Sequence, residues 1–325
     1  MQYDIPWRIT IDTNPDQCNL NCIMCDTHSI YKKDAPIKRQ RMSPELLDTI
    51  LDQAVSLNIK QIIPSTMGEP LLYPYFEHFI DKLKNTQTKL NLTTNGTFPK
   101  KGVAVWAEKI LPVTSDTKIS INGISKQINE SIMINADTGM MLENIRTYLQ
   151  IRDETRINNT EHHPTVTLQM TFMQKNLFSI KELIEFAIKN KVDRVKGHHL
   201  WITHPELIQQ DLRRPEHINE WNRFIEEIEP YRTQINLENF ELLSETSEIN
   251  QSYDCPFLGK ELWIDCYGNY NVCCAPSEKR KTLGNFGNIH TTPINQFFAT
   301  EQYQWLLKNY KNQPLCQTCL LRKSK

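Results

Sequence analysis

The segment from Asp12 to Ser29, DTNPDQCNLNCIMCDTHS, sets cysteines at positions 18, 22 and 25 with the spacing C-x3-C-x2-C. Thiolates are soft ligands, suited to zinc, copper(I) or iron–sulfur clusters. A structural zinc site normally takes four protein ligands. This loop offers three cysteines, with His28 as a candidate fourth ligand for zinc. The alternative is a four-iron cluster on three thiolates, which leaves one iron open to a ligand that is not protein. In either case one short loop has to present three sulfurs to a common centre.

The other cysteines and the composition narrow the setting. Of nine cysteines in 325 residues, three fall within 18–25 and six within 255–319, with none between. The first ten residues, MQYDIPWRIT, lack the basic and apolar stretches of a secretory signal, so a cytoplasmic chain with reduced thiols is expected. In that setting cysteines more often serve metal binding or catalysis than disulfides. A chain of this length buries enough core to fold without cross-links. Hydrophobic content of 39% and charged content of 23% describe a soluble globular protein. A net charge of −1 gives no nucleic-acid footprint. No run approaches the roughly 18 apolar residues of a membrane span.

The first two thirds of the chain alternate β-branched runs with helical patterns. Strands are predicted at Trp7–Asp12, Gln61–Ser65, Leu90–Thr94, Thr117–Ile121, Thr165–Phe172 and Arg194–His198. Helices are predicted at Pro44–Leu57, Tyr75–Lys84, Val103–Ile110, Met140–Arg152 and Ser179–Asn190, the last with Ser179 as its N-cap. Repeated strand–helix units predict a parallel sheet with crossovers, and six of them suit a partial barrel. Residues 219–228 read as helix and Glu229–Asp254 as a polar connection. From Cys255 the pattern changes: ELWIDCYGNYNVCC predicts a hairpin around Tyr267-Gly268-Asn269, and TPINQFFATEQYQWLLKNY predicts a helix. The expected division is 1–230, a linker at 231–254, and a small second domain at 255–325.

Five motifs in order give the chain a resemblance. C-x3-C-x2-C follows the first strand, Met67-Gly68-Glu69-Pro70 in TMGEPLL follows the second, and LTTNG ends the third. KISING ends the fourth, with Asn122 at a position usually Asp, and KVDRVKGHHL falls at the sixth. With these the chain resembles the radical S-adenosylmethionine (SAM) superfamily. The resemblance implies an α/β fold, a partial (β/α)6 TIM-like barrel. It also implies a [4Fe-4S] cluster on Cys18, Cys22 and Cys25 whose open iron takes SAM. In the family, reductive cleavage of SAM gives a 5′-deoxyadenosyl radical that removes a substrate hydrogen atom. Glu69 is then expected to accept from the SAM ammonium, Gly68 to allow close backbone approach, and Asn95 and Ser120 to bond the ribose or carboxylate. Gln169, Lys196 and His198 are candidate substrate contacts. HHLWITH, with His198, His199 and His204, could also be a metal site, and a strand end with aromatic packing is the plainer reading. YKKDAPIKRQR, with five basic residues against one acid, reads as a solvated loop or as a contact for an acidic group or electron donor.

The second cysteine group resembles the twitch domain, the short relative of the SPASM domain in the same superfamily. Its spacing is closest to the 2-deoxy-scyllo-inosamine dehydrogenase branch. The resemblance implies a small C-terminal α+β domain in which Cys255, Cys273, Cys316 and Cys319 fully ligate one auxiliary [4Fe-4S] cluster. Cys274 is the alternative to Cys273, because adjacent strand residues point to opposite faces. Cys266 is then surplus, and a structural zinc ribbon is the competing reading. The expected function is a radical SAM oxidoreductase-type enzyme, dehydrogenase- or epimerase-like, acting on a small polar molecule such as an amino sugar. The alternatives are modification of a ribosomally made peptide and a non-catalytic iron–sulfur electron carrier. Expected partners are the small-molecule or peptide substrate and an electron donor such as flavodoxin or ferredoxin, with neither nucleic acid nor membrane.

Overall fold

The computed structural model describes residues 5–33, 38–65, 67–244, 252–319 and 321–323. Thr66 of the glycine–glutamate motif and residues 34–37 of the basic run lie outside that range. Among the described residues nine strands form one sheet: β1 (Arg8–Ile11), β2 (Gln61–Ile63), β3 (Lys89–Thr94), β4 (Thr114–Ser120), β5 (Thr165–Phe172), β6 (Arg194–His199), β7 (Asn236–Glu238), β8 (Glu261–Ile264) and β9 (Tyr270–Asn271). Their order is β7-β6-β5-β4-β3-β2-β1-β8-β9. Every pairing is parallel except β8 with β9. Parallel neighbours require crossovers, and the helices supply them: α1 (Pro44–Ser56), α2 (Phe76–Leu83), α3 (Val103–Ile110), α4 (Lys126–Ile132), α5 (Thr138–Asn158), α6 (Ile180–Lys189) and α7 (Pro215–Ile228). The parallel strands therefore end on one rim, where such sheets build their sites.

The six predicted strands form, and the sheet then continues at both ends. Residues 231–254, expected to be a connection, contain β7, which pairs with β6 through Lys196↔Glu238. A strand of three residues is too short for its alternation to show in sequence. At the other end β8 joins β1 in parallel, Arg8↔Glu261 through Ile11↔Ile264. The auxiliary segment is thus continuous with the barrel sheet. The hairpin forms as predicted, with Gly268 at a φ of +85° and Asp265 accepting from the backbone N–H of Tyr267 and Asn269, each at 2.9 Å.

Local chemistry sets the helix bounds. Ser43 caps α1 by accepting from Leu46 N–H at 3.2 Å, one residue before Pro44. Helix α5 outruns its predicted end at Arg152. Its apolar stripe fades after Leu149, but Arg152 and Arg156 hold its last turns to Asp193 at 2.5 and 2.7 Å. Ser179 is not a side-chain cap; its hydroxyl donates to Asn176 C=O at 2.9 Å, inside the tight turn that leads into α6. The predicted C-terminal helix breaks into Ile294–Phe297 and Glu301–Asn309.

The main core is one contiguous cluster running from Ile9 and Ile11 of β1 to Tyr303 and Leu306 in the C-terminal segment. In β6, a Cβ at Gly197 would fall 1.7 Å from Phe172 Cζ. The Phe172 ring packs on Trp221 at 4.7 Å and Phe240 at 4.8 Å, so it has nowhere to move. Gly197→Ala is expected to cost about 1–3 kcal/mol by overpacking. A lowered urea midpoint at unchanged slope would register it.

Candidate functional site

The loop after β1 is anchored at several points between Thr13 and Ile23. Thr13 Oγ1 donates to Pro64 C=O at 2.7 Å, and Asn14 Nδ2 donates to Glu69 C=O at 2.9 Å. Glu69 N–H donates to Gln17 C=O at 2.8 Å. Gly68 lies between these bonds at a φ of +77°, and a Cβ there would come within 2.4 Å of Asn14 O and 2.7 Å of Gln17 O. The β1 and β2 loops therefore touch backbone to backbone, which only glycine permits. Further on, Asn21 and Ile23 donate their N–H groups to Ile134 and Ile132 C=O at 3.0 and 2.9 Å, pinning the loop to the end of α4.

Cys18, Cys22 and Cys25 are brought together in this frame, each half-buried as a residue. Leu20 N–H points at Cys18 Sγ at 3.5 Å, and His28 N–H at Cys25 Sγ at 3.2 Å. N–H donors aimed at sulfur favour the thiolate. Burial works the other way in the metal-free chain, pushing Cys18 up to about 11 and raising Cys22 and Cys25. His28 bonds Pro15 C=O through Nε2 at 2.9 Å, so one ring nitrogen is spent on the backbone and the ring braces the loop. Among the described residues no three His, Cys, Asp or Glu side chains converge closely enough to share one metal ion. Three soft thiol ligands on one loop pressed against a glycine, with His28 turned to the backbone, are a donor set that fits a cluster keeping one iron open.

The motif side chains are placed as follows. Glu69 is 1% exposed, and its carboxylate accepts from Thr94 Oγ1 at 2.7 Å, Asn95 N–H at 2.8 Å and Leu71 N–H at 3.2 Å. It ties the β2 loop to the end of β3. Asn95 Nδ2 donates to Asn19 Oδ1 at 2.8 Å and points at Cys18 Sγ at 3.8 Å. Asn122 is a turn brace, accepting from Thr171 N–H at 2.9 Å. Ser120, Gln169 and Lys196 form one row across β4, β5 and β6, in register with Glu238 of β7. Lys196 Nζ is held by Glu238 at 2.5 Å. His198 shares the face of Lys196, two residues on. Burial lowers His198 to about 4, so it is neutral near pH 7. His199 packs among Phe172 and Trp221, while His204 bonds Cys25 C=O through Nε2 at 2.9 Å. The three histidines serve different neighbours.

The second group assembles from both ends of its domain. Asp254 and Lys323 form an antiparallel bridge, and Arg322 Nε donates to Tyr253 C=O at 2.8 Å, bringing the chain end back to Cys255. Cys255, Cys316 and Cys319 each lie within electrostatic reach of Cys273. Cys266 is sealed in the core at 1% exposure.

Sequence reasoning did not find what joins the two groups. Arg280 Nη2 donates to Asp12 Oδ2 at 3.0 Å, and both side chains are buried. This pair fastens the auxiliary segment to the end of β1. Beside it lies a cavity of about 250 Å³ lined by Cys25, Asp26, Trp201, Thr203, Cys274 and Arg280, among others. Trp201 also borders a second cavity of about 270 Å³ with His198, Arg213 and Lys323.

The comparisons with known proteins agree with this geometry. The model of the radical SAM superfamily matches residues 15–160, and that of the SPASM iron–sulfur cluster-binding domain matches 255–320. The chain carries a radical SAM domain followed by a SPASM domain. It accordingly binds SAM and a [4Fe-4S] cluster in the first domain and auxiliary iron–sulfur chemistry in the second. It is similar to a cofactor-modifying protein for the tungsten-containing aldehyde ferredoxin oxidoreductase of Pyrococcus furiosus, at 22% identity over 94% of this chain and 85% of that one. Its fold is similar to Streptococcus suis SuiB bound to S-adenosylmethionine, with TM-score 0.69, 17% identity, and coverage of 97% of this chain and 72% of that one. It is also similar to BtrN in complex with AdoMet and 2-DOIA, with TM-score 0.53, 15% identity, and coverage of 98% and 94%. Among the described residues no helix is long and apolar enough to cross a membrane.

Burial pushes the Glu69 carboxyl from its ordinary 4.5 up to about 7, against the pull of its three donors. A carboxyl raised on folding contributes stability below its unfolded value and loses that contribution as pH rises through the folded one. The metal-free protein is therefore expected to lose on the order of 3 kcal/mol through this group across that window. Urea unfolding at both ends of the window should show the loss in wild type and not in Glu69→Gln.

Proposed function

We propose that the chain is an oxidoreductase-type radical enzyme that abstracts a hydrogen atom from a small polar molecule, in a dehydrogenase- or epimerase-like reaction. The observation that carries this reading is the cavity shared by Cys25 of the first cysteine group and Cys274 of the auxiliary segment. Its volume, about 250 Å³, falls just below the usual range of ligand pockets and suits a small molecule. Bound on Cys18, Cys22 and Cys25, the cluster with SAM supplies the 5′-deoxyadenosyl radical, and the protein's task is to place and shield. Gly68 and Glu69 hold the loop that carries the thiols. Asn95 and Ser120 offer polar groups on the rim toward the cofactor. Gln169 and His198 offer neutral polar contacts toward substrate, while Lys196 acts through its pair with Glu238. Cys255, Cys273, Cys316 and Cys319 hold the auxiliary cluster, and the chain divides near 1–230 and 255–325. A one-electron donor such as flavodoxin or ferredoxin completes the system, in the cytoplasm.

A second reading is modification of a ribosomally made peptide. It draws on the likeness of the fold to SuiB, which has also been solved bound to its precursor peptide SuiA. The second cavity beyond Trp201 gives a longer ligand room to continue. The non-catalytic electron carrier does not stand, because the superfamily is one of enzymes.

Anaerobically reconstituted protein given SAM and dithionite is expected to form 5′-deoxyadenosine, and Cys22→Ala to give no more than a protein-free control. Intact cluster spectra in wild type with no such product would defeat the proposal. Deuterated polar molecules and deuterated peptides, offered separately, should divide the two substrate readings by which one passes its label into 5′-deoxyadenosine.

A further inference from the structure

The second cavity, about 270 Å³, is lined by the ends of β6 and β7 and by the auxiliary segment. Thr318 and Leu321, which bracket Cys319, belong to its wall, and so does Trp201, which it shares with the first cavity. Its cations come from three separate stretches: Arg213 ahead of α7, Lys279 in the short helix Ser277–Arg280, and Lys323 of the C-terminal bridge. Two of the three are matched by carboxylates. Arg213 gives Nε and Nη2 to Asp211 at 2.8 and 2.9 Å and Nη2 also to Leu200 C=O, which leaves Nη1 without a hydrogen bond among the described residues. Lys323 Nζ donates to Asn239 Oδ1 at 2.9 Å and lies 3.8 Å from Glu241. Lys279 has no carboxylate partner among the described residues, and its Nζ stands 5.3 Å from the centre of the Trp201 ring. His198 and His199 are neutral near pH 7, since burial lowers both to about 4. The wall therefore carries one positive charge more than it neutralises. His199 Nδ1, in the same wall, is buried with no hydrogen-bond partner. An open polar nitrogen beside a surplus cation calls for a polar, anionic occupant.

Resting on the radical reading above, we propose that the substrate carries a carboxylate and that this cavity holds it, with Lys279 as its ion pair and Arg213 Nη1 as a second donor. A molecule seated across Trp201 puts its acid group here and the rest of its frame in the first cavity, beside Cys25. The charge balance selects the ligand class. A single surplus cation matches a monoanion, whereas a phosphate dianion would keep one charge unmatched. A ligand whose only charge is an ammonium meets like charge at the wall, which turns away an amino sugar that lacks an acid. Lys279 rests against the indole face of Trp201, so its ammonium is placed before the ligand arrives. The carboxylate then sets the register of the substrate, and with it the carbon that faces the first cysteine group.

The holoprotein can be tested without a named substrate. In H2O, with SAM and dithionite, it is offered the small-molecule extract of its host grown in D2O, and deuterium in 5′-deoxyadenosine reports the substrate. Label is expected from the untreated extract. It is expected to vanish once carboxylates are converted to methylamides with carbodiimide and methylamine, although 5′-deoxyadenosine still forms, and to survive phosphatase treatment. Lys279→Met is expected to raise the extract concentration giving half-maximal label by about tenfold, far more than it changes the maximal rate, and Lys279→Arg to restore most of the loss. Lys279 is exposed, so neither variant threatens the fold, and iron content checks that both clusters stay in place. Label that survives amidation overturns the proposal, and so does label lost to phosphatase or half-saturation unmoved in Lys279→Met. Unlabelled 5′-deoxyadenosine from the untreated extract also overturns it and favours the peptide reading. If the protein with intact clusters forms no 5′-deoxyadenosine at all, the radical reading itself fails, a result distinct from the others.

Discussion

The site depends on a backbone-to-backbone contact in which Gly68 has no side chain to hold the β1 and β2 loops apart. Asn14 O and Gln17 O occupy the space a Cβ would need. The bonds on either side, Glu69 N–H to Gln17 C=O and Asn14 Nδ2 to Glu69 C=O, make this contact the base of the cysteine loop. Glu69 extends it to a third loop by accepting from Thr94 and Asn95 at the end of β3. A carboxylate buried this far is costly unless donors surround it, and here three do. Three consecutive strand ends are thereby fixed to one another before any cofactor binds, and the thiols project from the fixed part.

Strand β1 carries the consequences outward. It pairs with β2 on one side and β8 on the other, so the cysteine loop and the auxiliary segment share a single strand. The ion pair between Asp12, the first residue past β1, and Arg280 adds a second tie at the rim. A buried pair of this kind contributes little net stability, yet losing one partner strands a charge. Its value is geometric: it sets the cavity wall at a fixed distance from the loop that bears Cys25.

Much of the fold was legible because it rests on local chemistry. β5 and α3 have the predicted bounds, and α1 starts at Pro44 as predicted. The cysteine groups were legible because spacing survives in sequence whatever the packing. Elements held by partners distant in the chain were not. β7 is three residues long and visible only through its pairing with β6. Arg280 reads as one basic residue in SEKRK, and nothing local says that it meets Asp12, 268 positions earlier. His204 looked like part of a histidine cluster, and only the fold shows it reaching back to Cys25 C=O.

The barrel interior explains which charges remain for chemistry. Asp116 is bonded by Arg194 at 3.0 Å and lies 3.6 Å from Lys118, while Glu238 takes both Arg194 and Lys196. Three cations share two carboxylates in this layer, so each charge is engaged by another and the layer forms a paired floor beneath the rim. Lys196, plausible as a free substrate contact from sequence, belongs to that floor because β7 supplies its partner. Ser120 and Gln169 stand in the same row as Lys196, and a neutral His198 lies two residues further on, groups that hydrogen-bond without imposing charge. Charged side chains also line the cavity across the rim, where Asp26 and the Asp12-paired Arg280 stand near Cys25 and Cys274. A substrate spanning these surfaces would meet neutral polar contacts over the sheet and charged ones beside the thiols. Its orientation would then follow from the fold, because the strand ends that fix the one surface are tied through β1 to the segment that fixes the other.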